Sequence, residues 1–303
     1  MILIGGPTAS GKSGLAVEVA KRLNGEVISA DSMQIYRDLD VGTAKITRTE
    51  MDGVPHHLID IVDADEPFSL AKFTELAKNC SQDIVTRKKT PIVCGGTGLY
   101  MSALIYDYSM SAYDESLRTE LKEQLKTEGI DVLYERLLSL DPKAIDIDKR
   151  NEKRVLRALE VVLAEGKSIL DKTDKQSYIP HLLYAIDVPR ELLYKRINDR
   201  VDRMFREGLT EEITRIKERY GIGCFDYQSM QAIGYKEFRT YFSGEQDLDE
   251  IKELIKQHTR NYAKRQLTWF RRMDTCKWLD FNENERNIEI IANDFYNFIN
   301  KIE

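Results

Sequence analysis

The chain has 303 residues, a net charge of −6 and four cysteines. These values exclude a wholly basic surface of the histone kind, and the single, scattered cysteines predict buried reduced thiols rather than a disulfide framework. No apolar run is long enough to cross a bilayer and no signal-peptide pattern opens the sequence, so we expect a cytoplasmic protein. Adjacent histidines rarely converge on one metal, and we therefore expect no zinc site at His56-His57.

Strands and helices alternate over the first hundred residues. "ILI" predicts a short buried strand, and apolar residues then recur at helical spacing from Ser13 until "NG" ends the helix. "EVISAD" predicts a second strand that ends at Asp31, and "TPIVCGG" predicts a third. Ser69 is positioned to cap the helix between them, and the chain turns helical from Thr97 to Ile105. This alternation predicts a parallel sheet covered by helices on both faces.

The pattern changes after Tyr106. From 114 to 166 the apolar residues follow a helical period, and a strand pattern returns only at "HLLYAIDVPREL". We interpret residues 111–179 as a helical insertion into an α/β core formed by residues 1–110 and 180–303. "CKWLDF" predicts a late strand. Three further helical patterns run over Arg190 to Tyr220, Asp249 to Arg272 and Asn287 to Ile302.

A phosphate-binding loop stands at the start of the chain. "GPTASGKS" fits G-x-x-x-x-G-K-[ST] between a predicted strand and a predicted helix. In such a loop the backbone N–H groups surround an anion, the helix N-terminus adds its positive end, and a lysine adds a charge. The hydroxyl of the last residue is a ligand for Mg²⁺. We predict that the phosphate-binding residues are Gly6, Pro7, Thr8, Ala9, Ser10, Gly11, Lys12 and Ser13, with Ser13 as the magnesium ligand.

Asp31 falls at the carboxyl end of the second strand, where ligands bind in an open parallel sheet. A carboxylate there is suited to accept a proton or to coordinate Mg²⁺ through water, although it could also cap the next turn. The third strand ends "IVCGGTGLY", without the acidic residue that P-loop ATPases usually place there. Its three glycines and Thr97 instead indicate close backbone approach by a ligand. The pattern therefore disfavours ATP hydrolysis.

Two helices carry basic stripes. Arg196, Arg200 and Arg203 share one face of the helix after "IDVPREL", an arrangement suited to closing over phosphates or to a solvated face. The second stripe lies in "RNYAKRQLTWFRR", within a stretch that has no acidic residue, and it predicts polyanion binding. We interpret Trp269 and Phe270 as core anchors rather than as rings that stack on bases. The second stripe comprises Arg260, Lys264, Arg265 and Arg271, and a smaller cluster in the insertion comprises Arg150, Lys153, Arg154 and Arg157.

Seven motifs occur in order along the chain: "GPTASGKS", "ISADSMQIYRDLDVGTAK", "PHHLID", "GGTGLYMSAL", "KRVLRALEV", "AIGYKE" and "AKRQLTWFR". With these motifs the chain resembles the bacterial tRNA dimethylallyltransferases over its whole length. The second and last motifs are much more specific than the phosphate-binding loop alone. Ser13 stands where threonine is usual and Leu39 where methionine is usual, and both departures are small.

The resemblance implies a P-loop nucleotide-kinase-like parallel-sheet core, a helical insertion that grips the anticodon stem-loop, Mg²⁺ as cofactor, and tRNA and dimethylallyl diphosphate as partners. The family transfers a dimethylallyl group to the N6 amine of the adenosine 3′-adjacent to the anticodon, in tRNAs that read codons beginning with U. The loop then holds the diphosphate leaving group. The alternatives are an adenylate dimethylallyltransferase, a small-molecule kinase and a non-catalytic RNA-binding protein. We also expect a monomer without membrane contact.

The resemblance also assigns residues to roles. Asp31 is the expected general base, while Thr8 and Arg200 are expected to contact the diphosphate. The expected tRNA-binding residues are Asp31, Ser32, Met33, Gln34, Thr97, Lys153, Arg154, Arg157, Gly234, Tyr235, Lys236, Lys264, Arg265 and Gln266.

Overall fold

The computed structural model describes residues 1–106, 115–171 and 179–301. The chain divides into two compact units, one formed by Met1–Ile105 with Tyr178–Glu303 and the other by Tyr106–Ser177. The predicted insertion, residues 111–179, overlaps the second unit. Its assignment to tRNA binding stays a prediction.

The first unit contains a six-stranded sheet in which every pair of neighbouring strands is parallel. The strand order is β3-β2-β4-β1-β5-β6. This arrangement confirms the predicted parallel α/β fold. The strands are β1 (Ile2–Gly5), β2 (Gly25–Ser29), β3 (His56–His57), β4 (Thr90–Cys94), β5 (Leu182–Asp187) and β6 (Cys276–Asp280).

Helices connect the strands and also form the second unit. None of the described helices has both the length and the apolar composition that a membrane span requires. In chain order the helices are α1 (Lys12–Arg22), α2 (Arg48–Met51), α3 (Leu70–Thr86), α4 (Gly98–Ile105), α5 (Glu115–Glu128), α6 (Ile130–Leu140), α7 (Glu152–Glu165), α8 (Arg190–Arg206), α9 (Leu209–Tyr220), α10 (Phe238–Phe242), α11 (Leu248–Arg271) and α12 (Asn284–Ile299).

The sequence rules locate most of these boundaries. The Ser69 side chain accepts a hydrogen bond from the backbone N–H of Lys72, as predicted for the start of α3. The single helix predicted from Arg190 to Tyr220 is wrong, because Gly208 has a φ of 96° and separates α8 from α9. A left-handed residue ends the helical hydrogen-bond pattern, and glycine adopts that conformation at low cost.

Alternating side chains of the central strands contribute to a hydrophobic core of the first unit. On one face of the sheet, Ile4, Ile92 and Ile186 belong to a cluster with Leu15 of α1 and Ile291 of α12. In the second unit, α5, α6 and α7 enclose a separate core. Each unit therefore buries its own apolar side chains, as a domain does.

The edge strand β3 was not predicted, because two residues are too short to show a period. Both histidines of β3 contact other groups of the protein. His57 Nε2 lies 2.7 Å from the Glu26 carboxylate, and His56 Nδ1 lies 2.9 Å from the Val54 carbonyl oxygen.

The four cysteines are free thiols. Cys94 and Cys224 are buried, whereas Cys80 and Cys276 are half-buried.

Candidate active site

The loop between β1 and α1 has the backbone geometry of an anion cradle. Gly6, Ala9 and Gly11 have positive φ angles of 144°, 63° and 94°, and alternating backbone handedness of this kind forms the concave N–H surfaces that bind anions. The Ser10 hydroxyl is buried and has no hydrogen-bond partner among the residues that the structure describes. A buried hydroxyl usually has a partner, so this one is available to an oxygen-rich ligand.

Two cations converge on this loop. The Lys12 ammonium donates to the Pro7 carbonyl oxygen at 3.2 Å, and the Arg200 guanidinium donates to the Thr8 hydroxyl at 2.9 Å. Burial lowers the pKa of both cations, and in both cases the Asp31 carboxylate partly opposes that shift. Positive charge in a partly dehydrated site is stabilised by a bound anion. The predicted approach of Arg200 from α8 to the loop is thus present in the structure.

The other two arginines of that stripe have different surroundings. The Arg196 guanidinium lies 5.0 Å from the centre of the Phe281 ring, and Arg203 is exposed. Only Arg200 of the predicted triplet has a contact with the phosphate-binding loop among the described hydrogen bonds. A shared helix face is therefore not enough to bring a side chain into hydrogen-bond contact with the loop.

Asp31 follows β2 and stands at the same sheet edge as the loop. Its Oδ1 accepts from the backbone N–H of Met33 at 2.9 Å, so the carboxylate caps a turn and remains half-buried. The Thr97 hydroxyl oxygen accepts from the backbone N–H of Ser32 at 3.2 Å and ties this turn to the end of β4. Gln34 is half-buried, and its amide donates to the Ala44 carbonyl oxygen at 3.4 Å. The turn therefore holds the carboxylate in one orientation.

The glycines after β4 accommodate the protein itself, which corrects the expectation that they admit a ligand. A Cβ at Gly95 would lie 2.2 Å from the Ala30 carbonyl oxygen, and one at Gly96 would lie 2.2 Å from Gln266 Nε2. The buried Gln266 amide accepts from the Thr8 N–H and donates to the Gly96 carbonyl oxygen, both at 2.9 Å. Gln266 therefore positions the phosphate-binding loop, and its burial contradicts the predicted direct contact with RNA.

Helix α11 places its basic residues in two environments. Lys264 and Arg265 are exposed and remain candidates for RNA contact. Arg260 donates to the Asn198 side chain at 2.7 Å, and Arg271 lies over an aromatic ring of β6. Arg260 is therefore engaged within the protein, whereas Arg271 is exposed like Lys264 and Arg265 and stays a candidate for RNA contact.

The two aromatic residues of α11 also differ. Phe270 is buried against Gly5, as predicted for a core anchor. The same prediction is wrong for Trp269, whose side chain is 40% exposed. One edge of its indole packs against Gly98, and its ring N–H donates to the Ser102 hydroxyl oxygen at 3.0 Å. The ring is therefore held in place while much of its surface faces solvent.

A buried carboxylate that the sequence reading missed holds the loop after Asp31. Glu212 of α9 accepts from three consecutive backbone N–H groups, those of Asp40, Val41 and Gly42, at 2.9, 2.7 and 3.1 Å. It also accepts from the Tyr235 hydroxyl at 2.6 Å. Tyr235 is fully buried, which contradicts its predicted contact with RNA. We call these contacts of Glu212 the clamp. Local sequence patterns could not predict it, because its partners are far apart along the chain.

The neighbours of Tyr235 have separate roles. The Gly234 N–H donates to the buried Glu237 carboxylate at 2.8 Å, and that carboxylate also lies 2.6 Å from His258 Nδ1. Gly234 has a φ of 99°, a conformation that favours glycine. Lys236 is exposed, so it alone of the three predicted residues here is accessible to RNA.

We expect Tyr235→Phe to lower the free energy of unfolding by about 1–3 kcal/mol, because the buried Glu212 carboxylate loses a donor. Thermal and urea unfolding measure this change, and Tyr296→Phe is the matched control, since Tyr296 is exposed. Equal stability of both variants would contradict the clamp.

The basic cluster of the second unit lies on α7. Lys153 and Arg154 are exposed on its first turn, and Arg157 donates to the Glu160 carboxylate at 3.0 Å. Arg150 pairs with Asp148 just before the helix. Lys153 and Arg154 are therefore the stronger candidates for phosphate contact, since ion pairing already partly neutralises the other two.

Comparisons with known proteins identify the family to which the chain belongs. The family model described as IPP transferase matches residues 34–273, and a model described as isopentenyl transferase matches residues 1–64. A tRNA dimethylallyltransferase of Exiguobacterium sp. is 43% identical over 99% of this chain and 97% of its own length.

Solved structures are similar over the same extent. A tRNA isopentenylpyrophosphate transferase from Bacillus halodurans is 43% identical, with a TM-score of 0.75 over 99% of this chain and 96% of that one. A eukaryotic dimethylallyltransferase acting on tRNA is 31% identical, with a TM-score of 0.85 over 98% of this chain and 79% of that one. With the phosphate-binding loop, Asp31 and the sheet order in place, the chain belongs to the IPP transferase family, the family of the tRNA dimethylallyltransferases.

Proposed function

We propose that the chain transfers the dimethylallyl group of dimethylallyl diphosphate to the N6 amine of the adenosine 3′-adjacent to the anticodon, in tRNAs that read codons beginning with U. The observation that carries this proposal is the convergence of Lys12, Arg200 and the unpartnered Ser10 hydroxyl on one loop beside Asp31. The positive charges at the loop are suited to bind a diphosphate, and the Asp31 carboxylate is suited to accept the proton that the amine loses. The names of the relatives support tRNA as the acceptor and dimethylallyl as the transferred group.

The chemistry follows from these residues. The amine nitrogen forms a bond to the first carbon of the allyl group as the bond from that carbon to the diphosphate oxygen breaks. Asp31 takes the proton that the nitrogen loses, and the electron pair of the broken bond leaves with the diphosphate. The loop N–H groups, Lys12 and Arg200 stabilise the charge that grows on the leaving group. The adenine leaves its stack to reach the sheet edge, since a stacked base is not accessible there.

The loop also fits a magnesium ion. The Ser13 hydroxyl lies on the exposed first turn of α1, the position from which P-loop proteins supply a ligand to Mg²⁺. Bound there, the ion would neutralise part of the diphosphate charge. The remaining ligands would come from the diphosphate and from water, because Mg²⁺ usually keeps several waters.

The exposed cations on α7 and α11 are proposed to bind tRNA phosphates. We expect Arg265→Ala and Lys153→Ala each to reduce the log–log salt slope of tRNA binding by about one, because each removes one phosphate contact. Arg286→Ala is the control, since this exposed residue of α12 pairs with Glu283. Titrations of one tRNA at several salt concentrations measure the slopes. If both variants kept the wild-type salt slope, the RNA would have to bind to another surface of the protein.

A comparison of three separate acceptor conditions tests the proposed function. The protein is incubated with labelled dimethylallyl diphosphate and, separately, with unmodified tRNA, AMP or no acceptor, all without ATP. We expect label only in the tRNA and competitive inhibition by pyrophosphate. Label in AMP alone would favour the adenylate dimethylallyltransferase, and a strict need for ATP would favour the kinase.

A further inference from the structure

The indole of Trp269 is a large exposed aromatic surface that the proposed chemistry does not use. Its side chain is 40% exposed, and Leu99 at the start of α4 is 42% exposed. Single exposed apolar residues are common and need no explanation. Trp269 differs because contacts with α4 hold its ring in place.

Two contacts fix the ring. A Cβ at Gly98 would lie 2.3 Å from the indole Cδ1, so the absence of a side chain at Gly98 lets the ring pack against the α4 backbone. On the same edge, the indole N–H donates to the buried Ser102 hydroxyl oxygen at 3.0 Å. A ring that is already held loses little conformational entropy when a ligand stacks on it.

Trp269 also lies at the end of a row that begins at the active site. Tyr262, Arg265 and Trp269 are three and four residues apart, and therefore follow one side of α11. Tyr262 is half-buried beside Thr97 and close enough to Asp31 for that carboxylate to help raise its pKa, after burial, to about 12. The Arg265 guanidinium lies 5.5 Å from the centre of the Tyr262 ring.

The dimensions and charge of this row suit a single nucleic acid strand. Seven helical residues rise about 10 Å, which matches about three stacked nucleotides at ~3.4 Å each. Lys264 and Arg265 supply exposed positive charge for the phosphates between them. Aromatic rings interleaved with cations are the usual elements of single-strand binding surfaces.

We propose that Trp269 is a stacking platform for an unpaired nucleobase of the RNA, a few nucleotides from the adenosine that enters the site at Asp31. This proposal rests on the proposed function, because it requires RNA at the Asp31 edge. Arg265 contacts the intervening phosphate, and Ser102 and Gly98 hold the partly exposed indole in place for the base. Trp269 thereby helps to hold the loop nucleotides apart while the target adenine is out of its stack.

The protein has two tryptophans, which makes the test direct. In a Trp278→Phe background, Trp269 fluorescence is titrated with an anticodon stem-loop and with a fully paired duplex of equal phosphate number. We expect quenching by the stem-loop and none by the duplex. In the full chain, Trp269→Leu should weaken stem-loop binding by about 5- to 150-fold, the range for one base–aromatic stack. Trp269→Phe should lose less, because it keeps a ring.

The salt slope separates stacking from charge. Trp269→Leu should leave the slope unchanged, whereas Arg265→Ala should lower it by about one. Circular dichroism and thermal unfolding check that the leucine variant folds; should it fail to fold, the fluorescence titration decides alone. Equal quenching by duplex and stem-loop, or wild-type binding by a folded Trp269→Leu variant, would overturn the proposal. Transfer of label to tRNA by the wild-type protein would still stand, so the proposed function is judged separately.

Discussion

Asp31→Asn is expected to lower the single-turnover rate of transfer to tRNA by about two to four orders of magnitude, the usual contribution of a general base. Asparagine keeps the oxygen that accepts from the Met33 N–H, so the turn after β2 should persist. It has no carboxylate to take the proton of the amine. Rapid-quench measurements with enzyme in excess report this step without the contribution of product release.

The same variant should bind tRNA nearly as well as the wild type, because one carboxylate contributes little to phosphate contacts. Asp83→Asn is the matched control, since Asp83 is an exposed carboxylate of α3 that pairs with Arg87. If Asp31→Asn kept a near-normal single-turnover rate, another group would have to accept the proton.

Lys12→Met is expected to lower kcat by about two to three orders of magnitude, comparable to the loss of one preorganised donor at a developing charge. Methionine retains much of the side-chain volume but removes the ammonium that the loop buries. Pyrophosphate should also bind more weakly to this variant, because its oxygens lose a cation. Isothermal titration with pyrophosphate, together with initial rates, separates the binding loss from the rate loss.

Lys21→Met provides the control on the same helix, where Lys21 pairs with the exposed Glu18 and Asp52 side chains. It should leave both pyrophosphate binding and kcat near the wild-type values. Equal pyrophosphate affinity in Lys12→Met and the wild type would contradict the role of the loop as a diphosphate cradle.

Local features of the sequence predicted much of the fold. The phosphate-binding motif, the Ser69 cap and the apolar alternation depend on neighbours within a few residues, and the structure has the corresponding loop, helix and strands. The position of Asp31 at a strand end was also predictable, because parallel strands bring their carboxyl ends to one edge. The break at Gly208 was a missed local signal, since a single glycine interrupts an otherwise continuous pattern.

The contacts that position the site join distant parts of the chain, so local patterns could not reveal them. Gln266 and Tyr235 occur in specific motifs and were therefore read as RNA contacts, but their amide and hydroxyl groups bond to Thr8 and Glu212 inside the protein. Trp269 was interpreted as a core anchor, but it is 40% exposed. Its exposure depends on how α11 packs against α4, which no spacing rule encodes.

Mapping the modified position on RNA tests the central claim most directly. An unmodified anticodon stem-loop is incubated with labelled dimethylallyl diphosphate and Mg²⁺ without ATP, and the product is digested to nucleosides. The account predicts label on the N6 amine of the adenosine that follows the anticodon, and none when guanosine replaces that adenosine. Label at another nucleotide, or no label on any RNA while AMP is modified, would contradict it.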